Sequence, residues 1–151
     1  MLIIEKVLLL KNSAIFQNCR ETDLIEIASI CQENNFEKNV PIFRKNDSGN
    51  CVYFIYKGIV SIHDGEHLIA ELSENEIFGE LSLLDAETRS ASATTKTDCI
   101  LLKIEQEDFY DIMATNIDIL KGIMRTLCKR LREQDRVNIE MKKLHKQGSN
   151  A

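Results

Sequence analysis

The chain has no Trp, one Pro and six Gly in 151 residues. Collagen-like and linker-like classes are thereby excluded. Five cysteines (Cys19, Cys31, Cys51, Cys99 and Cys128) are scattered, odd in number and without a CxxC pair, so neither a disulfide framework nor a zinc ribbon is expected. His63, His67 and His145 do not stand at metal-ligand spacing to any of them, so no metal is expected. The greasiest stretch, MLIIEKVLLL, is interrupted by Glu5 and Lys6. It is too short for the roughly 20 residues that cross a bilayer, and it lacks the basic lead and cleavage site of a signal peptide. Free thiols without such a segment read as a cytoplasmic protein. No Ser–His–Asp set, metal cluster or Walker loop is present, so an enzyme is not expected.

What is present is an ordinary globular balance: 44 % apolar and 28 % charged residues. A chain of this length can bury roughly 68–70 % of its unfolded surface, enough for one core without staples. The net charge of −5 is divided unevenly. Residues 121–151 hold nine Lys/Arg and three Asp/Glu, a net +6, which leaves −11 on residues 1–120. An acidic body argues against a broad nucleic-acid face.

Helical periodicity over 2–11 and 21–32 gives way to short β-rich runs at 35–36, 40–43, 51–56, 59–62, 67–72, 90–94 and 99–104. Turn signals separate them: Asn46-Asp47-Ser48-Gly49, Lys57-Gly58, Asp64-Gly65 and Glu74-Asn75. Asp64-Gly65 predicts a type I′ hairpin, with φ > 0 at both positions. After residue 104 the pattern is helical again. Glu105, Glu107 and Asp108 load the first turn of one helix, and Asn116 is placed to cap a second. A helix over 116–146 would be about 46 Å long. Its Ile117, Leu120, Met124, Leu127, Leu131, Gln134, Asn138 and Met141 alternate gaps of three and four, the seam of a coiled coil. A homodimer through residues 117–141 is expected. The basic run along this helix reads as a solvated face.

Residues 78–93, FGELSLLDAETRSASA, carry the chemistry. Gly79 lets backbone approach a ligand. Glu80 can accept hydrogen bonds from a sugar diol. Arg89 presents a planar fork suited to phosphate oxygens, and Ser90 and Ala91 keep the wall beside it small. A surface loop with an incidental Glu–Arg pair fits the residue types equally well. The pattern as a whole, however, resembles the phosphate-binding cassette of the cyclic-nucleotide-binding domain family: Phe78-Gly79-Glu80-Leu81, Leu83-Leu84 and Arg89-Ser90-Ala91 fall at the family spacing. Residues 43–49, the Tyr53-Phe54-Ile55…Lys57-Gly58 hairpin and the exit from Leu101 to Phe109 extend the likeness over nearly the whole chain.

The resemblance implies an α+β, mainly β fold in one domain: N-terminal helices (1–32), an eight-stranded β-roll of jelly-roll type (33–104) and C-terminal helices ending in a long one (105–147). It implies a regulatory binding module, with no cofactor, for cyclic AMP in preference to cyclic GMP. Glu80 would take the ribose 2′-hydroxyl and Arg89 the cyclic phosphate. Gly79, Leu81, Ser90 and Ala91 would complete the cradle. Arg130, Gln134 and Asp135 lie where family members cover the base and are weaker candidates, since a solvated or dimer-facing position suits each of them better. Ligand would close the cassette and move the C-terminal helices. Asn39, Asn46 and Asn75 stand where family members often carry Gly, and Asn tolerates positive φ. Thr88 replaces a frequent Pro. The catabolite-activator branch reads DNA through a helix-turn-helix after the long helix. No such motif is present here, so DNA is not an expected partner. The first sixteen residues resemble the lead-in of bacterial modules fused to transporter-like or repeat-containing partners, which implies either one domain of a longer protein with an effector or transporter partner or a standalone sensor. The alternative is a ligand-free roll serving as a dimerisation or docking scaffold.

Overall fold

Period-two alternation in the central strands divides the interior into two layers. The structure, a computed structural model, describes residues 1–84 and 87–149, the side chains of residues 81, 87 and 149 excepted. Strand β4 (Cys51–Lys57) sends Val52 and Phe54 to one side and Cys51, Tyr53 and Ile55 to the other, all buried. Its partner β10 (Cys99–Glu105) does the same with Leu102 and Ile104 against Cys99 and Leu101. A strand buried on both faces needs a layer on each. Helices α1 (Ile3–Lys11), α2 (Glu21–Ser29), α4 (Gln106–Thr115) and the start of α5 (Ile117–Ser149) supply one. A second sheet supplies the other.

The first sheet has the order β1-β10-β4-β7, with β1 Gln32–Phe36 and β7 Ile77–Phe78. The second is β2-β9-β5-β6, from Pro41–Phe43, Ser92–Thr95, Val60–Asp64 and His67–Leu72. All pairings are antiparallel. These eight strands form the expected roll. A two-residue ladder, β3 (Ser48–Gly49) with β8 (Glu87–Thr88), adds to it, and a one-turn helix α3 (Leu81–Leu84) follows β7.

Between the first sheet and the helices, Phe16 stacks 6.0 Å from Phe54 and meets Phe109 edge-on at 5.7 Å. Burial pushes the Cys31 thiol up to about 12 and the Cys19 thiol to about 11. Neither forms a thiolate at neutral pH, so neither is a nucleophile.

Asn39, Asn46 and Asn75 have φ of 63°, 74° and 70°, the left-handed conformation that Asn tolerates. The expected type I′ turn is not formed. In the β5–β6 hairpin only Gly65 has positive φ, 58°, and the register shifts between Ile62 and His63. That bulge moves the turn one residue along, so Gly65 takes the first loop position and Asp64 stays in the ladder opposite His67. The strand expected over 90–94 starts at Ser92, because Ser90 and Ala91 line a cavity instead.

Asn116 caps α5 as expected, its Oδ1 accepting from the Asp118 N–H at 3.1 Å. Its amide nitrogen donates to Asp23 (3.0 Å) and Glu26 (2.8 Å), fastening α5 to α2. Helix α5 has 33 residues, about 50 Å. Ile119, Ile123 and Thr126 are buried on the body, while residues 131–148 are exposed throughout. No helix among the described residues is long and apolar enough to cross a membrane.

Phe16→Ala should remove about 3–5 kcal/mol of stability, whereas Ile25→Ala, at an exposed site on α2, should change it by less than about 0.5 kcal/mol. Urea unfolding of both variants measures the difference.

Candidate functional site

Two loops of the cassette close around one cavity of about 380 Å³. The first runs from β7 through Gly79 and Glu80 into α3, the second from β8 through Arg89, Ser90 and Ala91 into β9. Gly79 has φ 76°, and a Cβ there would collide with Arg89 Nη1 and lie 3.2 Å from the Cys51 carbonyl oxygen. Both the conformation and the close approach demand glycine.

The Arg89 backbone is pinned on both sides by the turn after β2. Its N–H donates to the Asp47 carbonyl and its carbonyl accepts from Asn46 N–H, each at 2.8 Å. Its side chain turns inward and is 6 % exposed. Nη2 donates to the Cys51 carbonyl at 2.8 Å and Nη1 to Ser82 Oγ at 3.1 Å, and Cζ lies 4.2 Å over the Phe43 ring. Nε has no partner. None of the ion pairs among the described residues involves Arg89. A buried cation held only by neutral dipoles and a π-face is incompletely compensated. Nearby, burial, with Cys51 adding to it, holds the Tyr53 phenol above its ordinary range.

Glu80 faces α5. Its Oε1 and Oε2 accept from Arg130 Nη1 (2.9 Å) and Nη2 (3.2 Å), a two-pronged pair with both partners partly exposed. Of the residues expected at the site, Gly79, Glu80, Arg89, Ser90 and Ala91 line the cavity. Leu81 opens α3, and its side chain lies outside the described residues, as do Asp85 and Ala86 of the cassette. Arg130 reaches the site through Glu80. Gln134 and Asp135, the weaker candidates, do not line the cavity. Both are exposed, and Gln134 donates to Asn138 on its own helix. They lie one turn past Arg130, where the helix has left the body.

Phe43, Ile62, Ile77 and Ser82 line the cavity without having been expected there. Phe43 had one signal, an aromatic directly before the 44–49 turn. Ile62 and Ile77 arrive by strand pairing, which leaves no local mark, whereas Ser82 stands on α3 within the cassette itself. The lining combines apolar Phe43, Ile62, Ile77 and Phe78 with polar Ser82, Thr88, Arg89 and Ser90. Apolar surface with a few convergent polar groups is the make-up of a small-molecule site.

The profile of the cyclic nucleotide-binding domain matches residues 33–116. The chain belongs to that family. A cyclic AMP receptor protein of Thermus thermophilus is 32 % identical over 131 residues, covering 83 % of this chain and 61 % of that protein. A cyclic nucleotide-gated potassium channel of Rhizobium etli is 28 % identical, covering 77 % of this chain and 32 % of the channel. The crystal structure of the Thermus thermophilus catabolite activator protein has a TM-score of 0.67 at 28 % identity, covering 85 % of this chain and 62 % of that one. The N-terminal domain of a Streptomyces coelicolor transcriptional regulator, with a TM-score of 0.80 at 23 % identity over 85 % of this chain and 93 % of its own, shows the same fold. The chain thus spans about three fifths of the Thermus receptor's length.

Within this family fold Gly79 is the test of the cavity's construction. Gly79→Ala should cost about 1–2 kcal/mol through left-handed strain alone. Since Arg89 is buried and cannot swing aside into solvent, the variant should also lose ligand response. Urea unfolding and calorimetry on the same preparation check both.

Proposed function

We propose that this cyclic nucleotide-binding module is a sensor for cyclic AMP, taken in preference to cyclic GMP, and that it acts as a regulatory binding unit, not as a catalyst. One observation carries the reading: a buried guanidinium on the wall of a cavity, its Nε unpartnered and no carboxylate paired with it among the described residues. A cyclic phosphate supplies the missing anion and is small enough to enter. Arg89 would bind it, and Glu80 would accept the ribose 2′-hydroxyl. A carboxylate accepts about four hydrogen bonds, so the two from Arg130 leave capacity for the hydroxyl. Gly79 and Leu81 would contribute backbone, and Ser90 and Ala91 a hydroxyl and a close wall. The Ile62 and Ile77 side chains offer the base an apolar surface. The preference for cyclic AMP rests on the Thermus relative, a cyclic AMP receptor protein.

Arg130 links this pocket to α5. Ligand contacts to Glu80 would bias how tightly α5 is held, and an attached effector would read the helix. The exposed seam of α5 suits a second copy: Ile117, Leu120, Met124, Leu131 and Met141 are 61, 36, 54, 65 and 64 % exposed. Gln134 and Asn138 would fix the register of a parallel homodimer through residues 117–141.

A second reading, a ligand-free scaffold, is favoured by one feature. Arg89 Nη1 and Nη2 and the Glu80 carboxylate already have partners within the chain. Calorimetry with cyclic AMP and cyclic GMP decides. Arg89→Ala should weaken cyclic AMP by about 2–5 kcal/mol, or roughly 30- to 5000-fold. No binding by either protein leaves the scaffold, and equal binding by both refutes the role given to Arg89. Arg130→Ala should weaken cyclic AMP, by about 1 kcal/mol for a partly exposed pair, with Arg130→Lys between it and wild type. For the dimer, light scattering at tens of micromolar should give twice the chain mass, falling to the monomer in Leu131→Glu.

A further inference from the structure

A second cleft, of about 480 Å³, lies on the side of α5 turned away from Arg130. One wall is Asn18, in the segment between α1 and α2. The other is α5 itself, which contributes Lys121, Arg125, Lys129 and Arg132 around a floor of Met124 and Cys128. No carboxylate lines it.

The wall is fixed. A Cβ on Gly122 would lie 2.9 Å from Cys19 Sγ and 3.1 Å from the Asn18 carbonyl oxygen, so glycine lets the turn close on the helix. Asn18 then donates to Thr126 Oγ1 at 2.9 Å and accepts from Lys129 Nζ at 3.0 Å. This holds Lys129 beside the cleft without neutralising it. The four cations recur at gaps of four, four and three, which puts them on one helical face, where like charges repel.

Six cations elsewhere, Lys11, Arg20, Lys45, Lys96, Lys103 and Arg130, each pair with a carboxylate. Among the described residues Lys121, Arg125 and Arg132 form no ion pair. The repulsion is therefore not relieved within the chain. The last-turn preference of helices for cations does not account for them either, since they lie in the first half of α5.

We infer that this cleft binds a multiply charged phosphate group, either a free polyphosphate or the headgroup of an anionic lipid. Convergent cations on a fixed wall suit a compact polyanion. The Met124 and Cys128 floor accepts the apolar part of an ester. The assignment is independent of nucleotide binding in the cavity beside Glu80.

The test uses the full chain. Titration with tripolyphosphate should show one site per chain, and Arg125→Gln/Arg132→Gln should weaken it at least about tenfold. Arg136→Gln/Lys143→Gln removes the same charge farther along the helix and should weaken it less than about threefold. Cyclic AMP calorimetry should be the same for both double variants. Vesicles of phosphatidylcholine with phosphatidylglycerol identify the source. Co-sedimentation that tripolyphosphate competes away means a lipid headgroup, and tripolyphosphate binding without co-sedimentation means a free polyphosphate. The inference is overturned if neither probe binds. It is also overturned if the two double variants weaken binding equally, the outcome for diffuse helix charge such as a nucleic-acid track would use.

Discussion

Keeping the charge of Arg89 inside the roll, where no carboxylate among the described residues pairs with it, is the constraint on which the cavity depends. Removing a cation from water is costly unless dipoles replace the water. Here a strand carbonyl (Cys51), a hydroxyl on a one-turn helix (Ser82) and a ring face (Phe43) do so. Each comes from a different element, so β2, β4 and α3 must all be in place before the guanidinium is solvated. The glycine at 79, the positive-φ asparagine at 46 and the Asp47 carbonyl exist to let those elements converge. Fold and site are in this sense one construction.

The attachment of α5 is of a different strength. Its first turns are committed to the body by Ile119, Ile123 and Thr126, all buried. Its last contact with the cassette is the Arg130–Glu80 pair. A pair with both partners partly exposed contributes on the order of 0–1 kcal/mol. That is within what a few ligand contacts can shift, whereas the buried apolar contacts are not. A bound molecule touching Glu80 could therefore move the helix beyond residue 126 without unpacking its root.

Much of this was legible in the residues. Alternation in 51–56 and 99–104 marks strands buried on both faces. Asn39, Asn46 and Asn75 mark left-handed turns, and the cassette residues mark the cavity. The hairpin turn was misjudged because a bulge at Ile62/His63 shifts the loop by one residue, and bulges follow from cross-strand pairing. The ladders β3, β7 and β8 are two residues long, too short to carry a period. The helical phase that brings Arg130 to the cassette also points toward Gln134, four residues on. What the phase does not give is where the body stops. That edge falls between the two residues, so one meets Glu80 and the other meets solvent.

The division of charge follows the same edge. Over the body, Lys11, Arg20, Lys45, Lys96 and Lys103 pair with carboxylates. Fields between exposed charges fade within about 8–10 Å at physiological salt. Residues 131–149 of a straight helix extend about 27 Å past the last body contact, so most of that segment lies beyond the reach of the body's carboxylates. A rigid helix cannot fold back to them. The carboxylates within reach of that stretch are therefore mostly its own, Glu133, Asp135 and Glu140.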